Sequence, residues 1–203
     1  LEASAQKKAR GPGRPSSGAR ERVLDAAYET LLEEGYAGLT YAKVAVRAGE
    51  NKSLISYYFG SKQGLVTAVA DRIGEQITAA VLAELEDVDT VERIAGGMIA
   101  GLWKVMDADT RVARLYFDLS AVSVVDDEIR RALHEVKGRW REVVSGYLAE
   151  ARVPPSEVPA VSTYLMAGGE GLAVERLEGY EAGRLEAARD PFIRSAGAID
   201  RPD

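Results

Sequence analysis

The stretch Thr40-Tyr41-Ala42-Lys43-Val44-Ala45-Val46-Arg47-Ala48-Gly49-Glu50-Asn51-Lys52-Ser53-Leu54-Ile55-Ser56-Tyr57-Tyr58-Phe59-Gly60-Ser61-Lys62 decides the fold. Thr40 and Asn51 are residues whose side-chain oxygen can accept from the free N–H groups of a helix's first turn. Gly49 and Gly60 are the residues that end helices most readily. The segments 41–48 and 52–59 therefore read as two short helices joined by a tight turn, the geometry of a helix-turn-helix or of an ordinary helical corner. Val44, Ala45, Leu54 and Ile55 supply the inward face. Left outward are Thr40, Tyr41, Lys43, Lys52, Ser53, Ser56, Tyr57, Tyr58 and Lys62, a donor-rich set suited to phosphate oxygens and base edges.

The helical pattern continues on both sides. Upstream, Val23, Leu24, Ala27, Tyr28, Leu31 and Leu32 fall on one face of a helix over 18–35, with Gly35 as its stop. Downstream, Ser61 caps a fourth helix whose apolar stripe runs Leu65, Val69, Ile73, Ile77, Val81, Leu85. Five more helices follow, over about 90–106, 109–123, 126–151, 156–178 and 182–197. Pro154-Pro155-Ser156 breaks the chain between two of them. Pro191 either kinks the last helix or, with Asp190 as cap, starts a new one. No run alternates with period 2, so the fold class is all-α: a three-helix N-terminal helix-turn-helix unit and a C-terminal helical bundle. The division expected is a disordered basic arm over 1–18, a helix-turn-helix domain over 19–65, and a helical body over 66–203, large enough to dimerise and to enclose a small molecule.

Charge supports that division. The chain has 203 residues and a net charge of −6, which as one number points away from nucleic acid. Residues 1–72 hold 11 Lys and Arg against 8 Asp and Glu, a net of +3; the remainder holds 15 against 24, a net of −9. A basic reader on an acidic body is the asymmetry expected of a nucleic-acid module joined to something else. Ahead of the first helix, Gly13-Arg14-Pro15 is extended and slim enough for Arg14 to enter a narrow A·T minor groove in the manner of an AT-hook. The other reading is a basic tail that gains affinity through phosphate charge alone.

Composition excludes several chemistries. Cysteine is absent and histidine occurs once, as His134, so thiol catalysis, zinc-thiolate sites and a His-rich metal centre are not available. No phosphate loop, nucleophile elbow or metal motif is present, and Asp126 and Asp127, being adjacent, do not face one another on a helix. No catalysis, cofactor or metal is expected. No run approaches the ~18 apolar residues of a membrane helix, and the first twenty residues lack the apolar middle of a signal peptide. A soluble cytoplasmic protein is the expectation.

Residues 20–70 resemble the DNA-binding domain of the tetracycline repressor (TetR) family of bacterial transcription regulators. The likeness lies in Glu34-Gly35-Tyr36, Leu39-Thr40, Val44-Ala45, Ala48-Gly49, Lys52, Ile55, Tyr58-Phe59 and Ser61-Lys62-Gln63-Gly64-Leu65. It implies that Thr40 contacts phosphate at the start of the second helix. Lys52, Ser53 and Tyr57 then face DNA from the third, and Tyr58 and Lys62 anchor phosphates. The sequence departs from the family pattern at Glu50, where a small apolar residue is usual, and at Asn51 and Ser53. It departs again at Ser56, where an aromatic residue is typical, which shifts weight to Tyr57 and Tyr58.

The resemblance also implies a homodimer on a palindromic double-stranded operator, and a small-molecule effector that releases it. The last two long helices are the candidates for dimerisation. The run Ala167-Gly168-Gly169-Glu170-Gly171 suits close helix approach at an interface, with Leu165, Gly168, Gly169 and Leu172 as contacts; a frayed helix is the other reading. Trp103, Met106, Leu115, Tyr116, Leu119, Trp140 and Tyr164 are candidates for the effector pocket, favouring a largely apolar or aromatic ligand, or else simply core. Gly96, Gly97 and Gly101 leave room for a ligand or for a neighbouring helix. Asp118, His134 and Glu170 are the polar groups available to orient a ligand, but His134, in the charged stretch Arg130-Arg131-Ala132-Leu133-His134-Glu135, reads rather as a solvated surface histidine. The competing reading is a regulator or architectural DNA-binding protein with no small-molecule ligand, controlled by a protein partner.

Overall fold

The computed structural model describes residues 18–86 and 88–199; the arm with Arg14 lies outside them, apart from Gly18. The described residues form nine helices and no strand: α1 (Ala19–Gly38), α2 (Tyr41–Ala48), α3 (Lys52–Phe59), α4 (Lys62–Leu82), α5 (Val91–Ala108), α6 (Thr110–Ser123), α7 (Asp127–Glu150), α8 (Val158–Leu177) and α9 (Ala182–Ala198).

Local chemistry sets most of the boundaries. Thr40, Asn51, Ser61, Thr90, Asp109 and Asp126 each accept from a first-turn N–H with the side chain. Gly49 closes α2 in the left-handed conformation. Gly35 breaks α1 as expected, with φ 67, but the chain then makes one more turn to Gly38, so the helix resumes past its break. The fourth helix stops at Leu82, short of the expected stripe; Leu85 is buried nonetheless, carried inward by the turn that follows. Pro191 neither ends nor restarts α9. It lies on the exposed side, as does Ala187 one turn back, so water can take the place of the missing backbone donor.

Helices α1, α2 and α3 pack around Val23, Ala27, Leu31, Val44 and Ile55. The same apolar cluster continues without a gap through Leu65, Val69, Ile73 and Ile77 of α4 into Leu115 and Leu119 of α6 and Ile129 and Leu133 of α7. We call α1–α3 the head and α4–α9 the body, with α4 shared by both cores. A second cluster, around Ile94, Met98, Leu148, Val161 and Leu165, joins α5, α7, α8 and α9.

Small residues set how closely the body helices approach. A Cβ on Gly101 would lie 2.5 Å from the Cα of Val81, and one on Gly97 would lie 2.6 Å from the carbonyl oxygen of Glu84. Gly101 therefore admits the backbone of α4, and Gly97 the backbone of the turn that follows it, rather than a ligand. In α8 the expected interface residues serve the same chain. Leu165 is 1% exposed in the second core, a Cβ on Gly168 would strike the ring of Phe192 in α9, and Gly169 is buried against Leu102. Leu172 is half-buried. The open face of α8 carries Ala160, Thr163, Ala167 and Gly171 instead. Helix α8 is apolar on nearly every side, so sequence periodicity could not tell its inner face from its outer one.

Candidate functional site

The outward face of the head is assembled by the two caps and by Ile55, which is fully buried and fixes the roll of α3. That roll leaves Lys52, Ser53, Ser56 and Tyr57 exposed, Tyr57 at 72%. Tyr58 is half-buried and meets Tyr57 edge-on at 5.1 Å between ring centres. Thr40 is exposed at the start of α2, where its hydroxyl accepts from the Lys43 N–H at 3.3 Å. Tyr41 is half-buried and packs against the head core.

Two of the expected phosphate-binding lysines have partners inside the protein. Lys43 pairs with Glu34 and donates to the Gly38 carbonyl at 3.1 Å. Lys62 donates to the Tyr36 carbonyl at 2.9 Å and lies 4.2 Å from the centre of the Tyr36 ring. Arg47 pairs likewise with Glu33 of α1. Glu50, out of pattern in the turn, accepts from Arg22 Nε of α1 at 3.1 Å, so an ion pair ties the turn to α1 where apolar contact is usual. Val46, 84% exposed on α2, is a surface feature for which nothing in the structure supplies a contact.

The corner at Gly35-Tyr36 joins head to body. The Tyr36 N–H donates to Asp118 of α6 at 2.7 Å, and the Tyr36 hydroxyl reaches Asp126 at 3.4 Å. Asp126 also accepts from the Ile129 and Glu128 N–H groups, and those bonds hold its carboxyl below the usual range. Ser61 donates to Glu128 at 3.3 Å, and Tyr28 donates to Gln76 at 2.9 Å. Of the three polar groups considered for a ligand, Asp118 thus serves the head instead, while His134 is exposed on α7, in keeping with its reading as a surface histidine. Only Glu170 faces the interior space described next.

Two adjoining cavities lie in the body. One, of about 70 Å³, is lined mainly by Val81, Met98, Leu102, Trp140, Val144 and Met166. The other, of about 40 Å³, is lined mainly by Val105, Met106, Ala113, Tyr116 and Phe117. Ile77, Leu102, Trp140 and Glu170 border both. Of the residues proposed for an effector pocket, Met106, Tyr116 and Trp140 border these cavities. Leu115 and Leu119 are packed in the core shared with the head. Trp103 is covered by the Arg176 guanidinium at 5.1 Å, and Tyr164 stacks on Phe192 at 5.4 Å with its hydroxyl at Ser195. Sequence reasoning missed Leu102, Phe117 and Met98 among the lining residues. Met98 and Leu102 lie two turns and one turn ahead of the chosen Met106 on one face of α5, which was the one available signal; Phe117 shares a face with none of the chosen residues.

Glu170 is held by two donors, the Tyr116 hydroxyl at 2.7 Å and Lys137 Nζ at 2.9 Å. Burial, with the nearby Glu170 charge second, pushes the Tyr116 hydroxyl far above its ordinary range, so it stays a donor at any physiological pH. Trp140 Nε1 donates to the Thr78 hydroxyl at 3.0 Å, and that hydroxyl donates to the Gly74 carbonyl at 2.7 Å.

A helix-turn-helix with a donor-rich outer face, seated on a helical body with an internal apolar space, defines a DNA-binding transcriptional regulator, and comparison with known proteins agrees. Residues 23–69 match the profile of the bacterial regulatory proteins, tetR family. The HTH-type transcriptional regulator BetI of Cronobacter sakazakii is 29% identical over 192 residues, 88% of this chain and 92% of that relative. Alignments with two further BetI proteins span 60% and 68% of those relatives. A TetR-family regulator from Rhodococcus superposes with TM-score 0.74 at 21% identity, covering 91% of this chain and all of that one. A transcriptional regulator from Saccharomonospora viridis, solved in complex with choline, superposes with TM-score 0.66 at 18% identity over 87% of this chain and 94% of that one. Residues 23–69 thus carry the DNA-binding domain of the tetR family, and the relatives and neighbours named here are transcriptional regulators rather than enzymes. No helix among the described residues is long and apolar enough to cross a membrane.

Proposed function

We propose that the chain is a cytoplasmic repressor that binds a palindromic operator as a homodimer and releases it when the body takes up a small, largely apolar or aromatic effector. The observation that carries this reading is the exposed face of α3, where Lys52, Ser53, Ser56 and Tyr57 stand clear of the fold beside the Thr40 cap. A helix so placed fits the major groove, its side chains meeting base edges while Thr40 and Tyr58 meet phosphates. Tyr41 borders the same face. Lys43 and Lys62 join the phosphate contacts by leaving Glu34 and the Tyr36 carbonyl. Arg14 adds a contact from the arm: the chain enters the described fold at Gly18, and Arg20 lies over the Phe59 ring at the end of α3, 5.2 Å from its centre. Residues 19–65 form the reading unit and 66–203 the sensing and dimerising unit.

The open, small-residue face of α8 is the surface on which a second copy packs. Two-fold pairing there presents two α3 helices to one side of the duplex, which sets the symmetry of the site. The effector space lies between α4, α5, α6, α7 and α8. Helix α6 carries the signal, because Tyr116 and Phe117 line the cavity while the next residue, Asp118, holds the Tyr36 N–H of the head. An effector that prefers a shifted α6 thereby prefers a shifted head, and its differential affinity for the two states is what releases DNA.

Selection of bound duplexes from a random pool tests the reading. The expected result is an inverted repeat whose half-sites lie about one helical turn apart. An unsymmetrical single site, or no enrichment, overturns it.

A further inference from the structure

We infer that the body cavity is a site for a neutral, single-ring aromatic molecule, with Leu102 setting the size it admits and the Lys137–Glu170 pair excluding organic cations. This deepens the effector reading above and rests on it.

The lining carries almost no unsatisfied polarity. Thr78 both accepts and donates, the Trp140 N–H is bonded, and the Tyr116 hydroxyl is committed to Glu170. A polar ligand would enter without partners for most of its groups and lose its hydration with no replacement. An apolar space of this kind stays dry and takes up hydrocarbons; a cavity of ~150 Å³ lined by Leu, Ile and Phe binds benzene. The single charge at the edge of the space is balanced. Glu170 is paired with Lys137, and Lys137 Nζ lies 5.7 Å from the centre of the Tyr116 ring. The protein's own ammonium thus holds the position beside carboxylate and ring that an organic cation would need.

Size follows from the division into two spaces. The spaces of about 70 Å³ and about 40 Å³ are each too small for a ring, and Leu102 and Trp140 border both. Trp140 is fixed by its hydrogen bonds to Thr78 and Gly74. Leu102 makes no such bond, and its turning aside joins the two. The joined space still falls short of the ~150 Å³ benzene cavity, so a ring enters only with a small displacement of the helices around it, α6 among them.

The experiment compares two probes of one shape, toluene and N-methylpyridinium, by calorimetry on the full chain, with release of the selected operator followed separately by anisotropy. Toluene is expected to bind one per chain, at least about tenfold more tightly than the cation. Leu102→Ala is expected to admit 1-methylnaphthalene, which the unaltered protein rejects. Lys137→Met leaves Glu170 without its cation and is expected to turn the preference toward N-methylpyridinium; thermal unfolding of both variants guards against misfolding. Equal or tighter binding of N-methylpyridinium to the unaltered chain overturns the neutral-ligand assignment, and if that cation also releases the operator, the effector reading survives without it. Toluene binding with no release of DNA supports the site and overturns the effector reading. Failure of both probes to bind overturns the site.

Discussion

The head and the body of this molecule are built from the same kinds of helix but filled differently. The head core is close-packed with short aliphatic side chains, among them Val23, Ala27, Val44 and Ile55, all fully buried. The body core mixes Trp140, Tyr116, Phe117 and three methionines around empty space. Methionine beside empty space repacks easily, whereas a filled aliphatic core resists any change of volume. The difference fits the proposed division of labour: the aliphatic core lies under the surface proposed to meet DNA, and the apolar cavities lie in the part proposed to respond to an effector.

Substitutions can break or sharpen that contrast. The largest effect is expected for Ile55→Ala, at about 3–4 kcal/mol, because a fully buried side chain in a filled core leaves a cavity that cannot collapse. Both tryptophans, Trp103 and Trp140, lie in the body. Urea unfolding followed by fluorescence and by circular dichroism therefore compares the two regions directly. Because one apolar cluster runs from α1 to α7, the two curves of this variant are expected to coincide; separate transitions would show the head unfolding by itself.

Next is Gly101→Ala, expected to cost about 2 kcal/mol, since the added methyl meets the α4 backbone and no rotamer relieves it. The body should lose stability while the operator affinity of the folded fraction is unchanged. Adjacent glycines in α8 should then respond with opposite signs. Gly168→Ala forces the Phe192 ring aside and is expected to destabilise by about 1.5 kcal/mol. Gly169→Ala meets only Leu102 at 3.4 Å, gains about 1 kcal/mol from helix propensity, and weakens toluene binding by filling the cavity wall. The same sign for both in thermal unfolding would contradict the packing described. The smallest effect is expected for Ser61→Ala, about 1 kcal/mol for a lost cap on α4, together with looser coupling to Glu128, seen as a smaller effect of effector on operator affinity.

The head was largely legible from sequence and the body was not, for the same physical reason. Helix caps act within one turn, so Thr40, Asn51 and Ser61 announce the boundaries of α2, α3 and α4 without reference to anything distant. The partners of Asp118 and Glu170 lie 82 and 54 residues away, and nothing local separates a carboxylate that serves the head from one that faces the cavity. The inward side of α8 was misjudged because apolar residues surround that helix. Lys43 and Lys62 were expected on the DNA face, yet the fold gives each an internal partner that spacing along the chain does not reveal.

The ion pairs between α1 and the reading helices have a consequence for how the protein discriminates among DNA sites. A lysine that reaches a phosphate ordinarily displaces condensed cations from the duplex, and their dilution into bulk drives association, by about −0.9 in the salt slope per contact. On the proposed contacts Lys43, and Arg47 one turn further along α2 if it too reaches a phosphate, must first leave Glu34 and Glu33, carboxylates fixed to the same domain. Those acids remain beside the phosphates and recruit salt cations of their own, which offsets part of the release. The two contacts should therefore add less than their charge suggests to binding on arbitrary sequence, leaving a larger share of the affinity to Ser53, Ser56 and Tyr57, the side chains proposed to read the bases.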